Sequence, residues 1–162
     1  MDEKIAALVK AVEEAMEAEK KASEFYRTSA DKASSSRGKR LLTQLADFEQ
    51  GHYDKLAELK ASLEKEGKFI AYPGTAFKAT GPAETDDVRE ANLDDVLDVL
   101  RLAIDAEKKA FEKYTRLAEE AGDVVGREMF KRLAAEETAH RRILSDEFYQ
   151  LSNAGGEWVW ME

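Results

Sequence analysis

An all-α fold, a bundle of four amphipathic helices arranged as two hairpins with one long crossover between them, is what the 162-residue sequence predicts. Three observations lead there. Apolar residues recur at steps of three and four through four long segments, the pattern of a helix with one buried face. The two prolines, Pro73 and Pro82, both fall in one central stretch, roughly 67–91. Charged residues make up 36% of the chain and hydrophobic ones 43%, which suits half-buried helices better than strands or disorder.

The first helix carries Ile5, Leu8, Val12 and Met16 on one stripe, continued by Glu19 and Tyr26. A turn is expected around Ala33-Ser34-Ser35-Ser36-Arg37-Gly38. The second helix follows with Leu42, Leu45, Glu49, His52, Leu56, Leu59 and Leu63 in an unbroken three-four pattern, so the first hairpin spans 4–66. A non-helical connector, 67–91, includes the run Phe69-Ile-Ala-Tyr-Pro-Gly-Thr-Ala-Phe77, whose aromatic residues should pack on the bundle's flank. It is long enough to cross the whole bundle and make the second and third helices parallel. The second hairpin, 92–152, repeats the scheme. Leu93, Val96, Leu100, Ile104, Glu107, Phe111, Tyr114 and Leu117 come before a turn at Ala121-Gly122-Asp123. Phe130, Leu133, Glu137, His140, Leu144, Phe148 and Leu151 follow it. A non-helical tail, 153–162, closes the single domain 1–162. Its Trp158 and Trp160 are expected to cover an apolar flank, against the crossover or a second subunit, with docking of a redox partner a further reading.

Acids and histidines interrupt these apolar stripes, and the interruptions carry chemistry. The chain has two histidines, and each closes a Glu-x-x-His motif: Glu49 to His52 and Glu137 to His140. Glu19 and Glu107 each stand 30 residues before a motif glutamate, and one offset of 88 relates the whole set. The repeat extends further, since Glu19-Lys-Lys-Ala-x-x-x-Tyr26 recurs as Glu107-Lys-Lys-Ala-x-x-x-Tyr114, and Leu45-Ala46 as Leu133-Ala134. Each turn lies about midway between the lone glutamate and its motif. In an antiparallel hairpin that sets Glu19 opposite Glu49 and His52, and Glu107 opposite Glu137 and His140, about 20 Å from each turn at about 1.5 Å per residue.

Four carboxylates and two imidazoles are costly to bury unless paired. Two divalent cations would neutralise the carboxylates and leave the histidines neutral, the state in which they ligate metal. Two glutamates plus two Glu-x-x-His pairs on four helices is a ligand set for two iron or manganese ions. Glu49 and Glu137 are assigned as bridges, Glu19 and Glu107 as terminal carboxylates, and His52 and His140 as one nitrogen per metal. Tyr26 and Tyr114, on the same faces, suit either hydrogen bonds to these carboxylates or plain core packing. The neighbouring Glu17, Glu24, Glu112, Glu120 and Glu136 lie off the stripes and are expected to be solvated.

Other chemistries are excluded or disfavoured. With no cysteine there is no disulfide, thiolate zinc site or iron–sulfur centre. A net charge of −9 disfavours nucleic acid, whose phosphates need clustered Lys and Arg. No stretch approaches the roughly 20 apolar residues of a bilayer span, and no signal-peptide pattern opens the chain, so a cytoplasmic protein is expected.

At the segments Glu19–Tyr26, Leu45–His52, Glu107–Tyr114 and Leu133–His140 the chain resembles the ferritin-like di-iron carboxylate superfamily, and within it the rubrerythrin group. The resemblance spans all four helices and leaves the crossover and the tail unmatched. It implies a ferritin-like fold, two iron ions per chain (or manganese), and reduction of hydrogen peroxide, less readily dioxygen, in oxidative-stress defence. It also implies a homodimer, and an external electron donor such as rubredoxin, because the rubredoxin domain with its four cysteines has no counterpart here. Ala110 stands where rubrerythrins tend to carry an additional glutamate, so the six-residue set is closer to bacterioferritin-type centres. Two other functions fit the same ligands: a ferroxidase or iron-storage protein, and a helical interaction module with purely structural metals.

Overall fold

The computed structural model describes residues 2–75, 77, 87–153 and 155–160. Four helices account for most of them: α1 (Glu3–Lys32), α2 (Ser36–Glu66), α3 (Leu93–Glu120) and α4 (Val124–Asn153). Helix α1 packs along α2 and α3 along α4, giving the all-α bundle of two hairpins. None of these helices is long and apolar enough to cross a membrane.

Local chemistry sets the helix ends. Asp2 caps α1 by accepting from the Lys4 amide at 2.6 Å. Helix α2 stops at Gly67, whose φ of +66° lies in the left-handed region open to glycine, with its N–H returning to the Leu63 carbonyl. Gly122, also at φ +66°, makes the corresponding turn between α3 and α4. Ser35 caps α2 by accepting from the Gly38 amide at 3.2 Å, and Asp123 caps α4 by accepting from the Gly126 amide at 3.0 Å. Each residue of the second pair lies 88 after its counterpart in the first, so the internal repeat includes the caps.

Gly38 is therefore not a turn residue, as the sequence suggested, but part of the first turn of α2. Its lack of a side chain serves packing: a Cβ there would sit 2.5 Å from the Trp158 ring. A Cβ on Gly126 would sit 2.6 Å from Phe69. Each hairpin thus offers a glycine seat to an aromatic ring from a non-helical segment, the tail in one case and the crossover in the other.

The connector leaves α2 at one end of the bundle, where Phe69 meets Phe130 of α4 edge-on at 6.2 Å. It re-enters at the other end, where the Asn92 side chain donates to the Lys32 carbonyl at 2.9 Å. The start of α3 therefore lies beside the end of α1, and α2 and α3 run parallel. Pro82, with the rest of 78–86, lies outside the described residues.

Glu90, at 5% exposure, ties that second end together. Its carboxylate accepts from the amide and hydroxyl of Ser34, both at 2.8 Å, and from the Asn92 amide at 3.0 Å. The Trp158 indole donates to it at 3.1 Å. One acid thus joins the α1–α2 turn, the start of α3 and the tail. Trp158 is buried, and Trp160 packs on Phe77 of the crossover with ring centres 5.6 Å apart. The tail covers a flank against the crossover, one of the placements expected for it.

Candidate metal centre

The apolar interior is split into two clusters. One, toward the α3–α4 turn, contains Val12, Leu59, Leu63, Leu117, Phe130 and Leu133. The other, toward the α1–α2 turn, contains Leu42, Leu45, Leu100, Leu144, Leu151 and Trp158. Between them lie Glu19 on α1, Glu49 and His52 on α2, Glu107 on α3, and Glu137 and His140 on α4, each no more than 3% exposed. The structure brings all six together.

They meet within hairpins and across them. His52 Nδ1 lies 2.7 Å from Glu19 Oε2 in its own hairpin, close but not aligned as a hydrogen bond, and 3.4 Å from Glu137 Oε1 in the other. His140 Nδ1 lies 2.9 Å from Glu49 Oε1 across the hairpins and 3.7 Å from Glu107 Oε1 within its own. Two groups result, Glu19, Glu49, His52 and Glu137, and Glu49, Glu107, Glu137 and His140, in each of which the donor atoms all lie within 4.8 Å of one another. Glu49 and Glu137 belong to both.

This donor set fits metal ions on its own chemistry. Glu19 Oε2, Glu49 Oε2, Glu107 Oε2, Glu137 Oε1 and His52 Nδ1 are buried without a hydrogen-bond partner among the described residues. Orphaned buried polar atoms of this kind are rare unless something else satisfies them. Protonation within the cluster tells the same story. Burial first, then the charge of Glu49, pushes both Glu19 and Glu107 up. Burial, then Glu107, pushes Glu137 well up. Burial also works against Glu49, yet its interactions with His140 and His52 pull it below the ordinary range. For the histidines burial disfavours the charged ring, and the facing carboxylates outweigh it and raise both. Cations bound among these groups would compete with their protons.

On the flank facing α2 and α4, the structure corrects one expectation. Glu17, Glu24, Glu112 and Glu120 are exposed as predicted, but Glu136 is not, its side chain keeping only 11% exposure. The crossover runs over it. Glu136 Oε1 lies 2.9 Å from His52 Nε2 and accepts from the Tyr72 hydroxyl at 2.5 Å, while Oε2 accepts from the Thr75 amide at 2.7 Å. Burial and then the bond to Glu136 push the Tyr72 hydroxyl up to about 12. Glu136 itself is lowered, its bonds from His52 and Tyr72 prevailing over burial. With Nε2 bonded to a carboxylate, the proton of a neutral His52 belongs there, which frees Nδ1 to face the cluster. Sequence reasoning missed Glu136 because its partners come from a segment with no periodicity. In the sequence it is one of several mismatches under the 88-residue offset, which pairs it with Phe48.

The opposite flank is open. A cleft of about 490 Å³ between α1 and α3 is lined by Ala18, Ala22, Ala106 and Ala110, with Glu19, Glu107 and Glu137 also on its wall. Tyr26 lines it too, and its hydroxyl donates to Glu107 Oε1 at 2.7 Å, reaching from the first hairpin to the second. The same ring is buried in the apolar cluster toward the α1–α2 turn, so the hydrogen bond and the core packing occur together. Tyr114 is buried and stacks on Phe130 at 6.4 Å, and its hydroxyl is raised by burial first and then by Glu19.

A family model described as Rubrerythrin matches residues 2–60 and 98–154, which contain all six clustered residues. The unmatched stretch between them holds the crossover, with Tyr72 and Thr75. Among solved structures, a hypothetical protein from Pyrococcus furiosus is similar to this chain, at 27% identity and a TM-score of 0.71, with 91% of each chain covered. No curated protein matches the chain.

Proposed function

Because the chain belongs to the rubrerythrin family, we propose that it is a non-haem di-iron oxidoreductase whose oxidising substrate is hydrogen peroxide. The observation that carries this is the pair of buried four-residue groups sharing Glu49 and Glu137. In this reading Glu19, Glu49, His52 and Glu137 would hold one ion and Glu49, Glu107, Glu137 and His140 the other, each histidine presenting Nδ1 to the cluster. Manganese fits the same oxygen-rich donors.

Two ferrous ions, when bound, supply one electron each, and with two protons these reduce one peroxide to two waters. The chain's residues provide the setting. The crossover residues Tyr72, Thr75 and Phe77 cover the histidine side, where His52 and His140 are buried, and the α1–α3 cleft gives a small neutral oxidant a path to the carboxylate side. Tyr26 holds Glu107 in place through its 2.7 Å hydrogen bond. Electrons for the next cycle would come from a donor outside these 162 residues, such as rubredoxin, because they contain no cysteine to hold an electron-transfer cluster.

The test is to load the protein with Fe(II) without air, desalt it, and compare oxidation after a pulse of peroxide with that after a pulse of oxygen. Faster oxidation by peroxide supports the peroxidase. Faster oxidation by oxygen overturns the choice of substrate in favour of ferroxidase chemistry. Iron that neither oxidant changes would overturn redox function and leave metals that only stabilise the fold.

A further inference from the structure

The ligands repeat at an offset of 88, but their surroundings do not. His52 Nε2 faces Glu136 at 2.9 Å, and Glu136 is itself held by the Tyr72 hydroxyl and the Thr75 amide. The residue 88 before Glu136 is Phe48. Accordingly the His140 ring meets Phe48 edge-on, with centres 4.4 Å apart, and Phe77 at 5.3 Å. Phe48 also meets His52 edge-on at 5.0 Å, so the difference lies at the outer nitrogens: that of His52 faces a carboxylate, and that of His140 is buried without a hydrogen-bond partner among the described residues.

We propose that the two metal positions of this centre are unequal, and that Glu136 makes the His52 position the tighter, filled first and emptied last. The inference rests on the dinuclear reading above. Two physical effects run the same way. A carboxylate on the outer nitrogen fixes the ring's tautomer and orientation and makes the inner nitrogen a better donor. Glu136 also adds a fifth negative charge on the His52 side, where four ligand carboxylates would already balance two divalent cations. The phenyl rings behind His140 supply neither effect. Glu136 acts through His52, so it is a positioning residue, and its anchorage by the crossover means that the connector takes part in setting metal affinity.

The test is an anaerobic titration of metal-free protein with Co(II), followed by its visible ligand-field bands. The wild type should take up two Co(II) per chain in two resolved steps. Glu136→Gln keeps the size of the side chain and removes its charge. It should weaken the first step by about 10- to 100-fold, the usual effect of removing such a partner, and leave the second nearly unchanged. Tyr72→Phe removes one anchor while keeping the His52 contact, so it should weaken the first step less. In His140→Ala the one remaining strong site should still respond to Glu136→Gln, whereas in His52→Ala it should not.

Two Co(II) bound in wild type with indistinguishable affinity would overturn this inference alone. Equal weakening of both steps by Glu136→Gln, or a loss in Tyr72→Phe as large as in Glu136→Gln, would also overturn it, by showing that Glu136 only fastens the connector. Fewer than two Co(II) in wild type would overturn the dinuclear reading, and the inference with it.

Discussion

Glu147, near the end of α4, is 1% exposed and accepts a hydrogen bond from the Val159 amide of the tail at 3.2 Å. Burial pushes its carboxyl from the ordinary 4.5 up to about 7, against the opposing pull of the Val159 bond and the charge of Arg37. Between those values the folded chain keeps a proton that the unfolded chain releases, so stability must fall as pH rises from about 4.5 to about 7. At about 1.36 kcal/mol per pH unit, the full penalty above that window is about 3 kcal/mol, an upper figure because the tail can relax. Glu147→Gln removes the charge and keeps an oxygen to accept from Val159. The variant should match wild type at pH 4 and exceed it by up to about 3 kcal/mol at pH 8, or about 6–12 °C in Tm for a domain of this size. Urea unfolding of both metal-free proteins at pH 4, 6 and 8 measures this, with Trp158 and Trp160 as fluorescent reporters. Taking the difference between the two proteins cancels every other titrating group. A difference that stays flat with pH, or a variant less stable at pH 8, would refute the reasoning.

Glu90 has the opposite linkage. Its hydrogen bonds from Ser34, Trp158 and Asn92 outweigh burial and lower its carboxyl, so its contribution is present at neutral pH and lost on acidification. Glu90→Gln should destabilise the bundle by about 2–4 kcal/mol at pH 7, as charge-assisted bonds are replaced by weaker ones, and the gap in urea midpoint should close toward acid. The glycine seats predict overpacking. Gly38→Ala forces a Cβ to 2.5 Å from Trp158, and Gly126→Ala to 2.6 Å from Phe69. Each should lower stability by about 1–2 kcal/mol despite alanine's better helix propensity, as read by thermal unfolding. Filling the α1–α3 cleft with Ala110→Phe should slow oxidation of bound iron by peroxide several-fold in stopped-flow absorbance, while metal analysis shows the iron content unchanged.

Much of the fold and of the candidate centre was legible because helical periodicity makes a polar residue on an apolar stripe conspicuous. Glu19, Glu49, His52, Glu107, Glu137 and His140 each interrupt such a stripe, and the turn positions place them at matching heights. What stayed hidden depends on non-periodic segments. Glu136 looked solvated because nothing in α4 announces that Tyr72 and Thr75 will cover it. Glu90 lies just outside a helix, and its role appears only where the α1–α2 turn, α3 and the tail converge. Gly38 falls in the small-residue stretch that predicts the turn, because small residues in turns and small residues under a tryptophan look alike in sequence. The stripe puts Tyr26 on the same face as Glu19 but does not reveal that its hydroxyl bonds Glu107 of the opposite hairpin rather than Glu19 of its own helix.

The most direct test of the central claim, that these six residues hold two metal ions, is an anomalous difference map at the iron edge from crystals of iron-loaded protein. The account predicts two peaks between the apolar clusters, one contacting Glu19 and His52, the other Glu107 and His140, with Glu49 and Glu137 contacting both. A single peak, no peak, or iron bound only at surface carboxylates would contradict it.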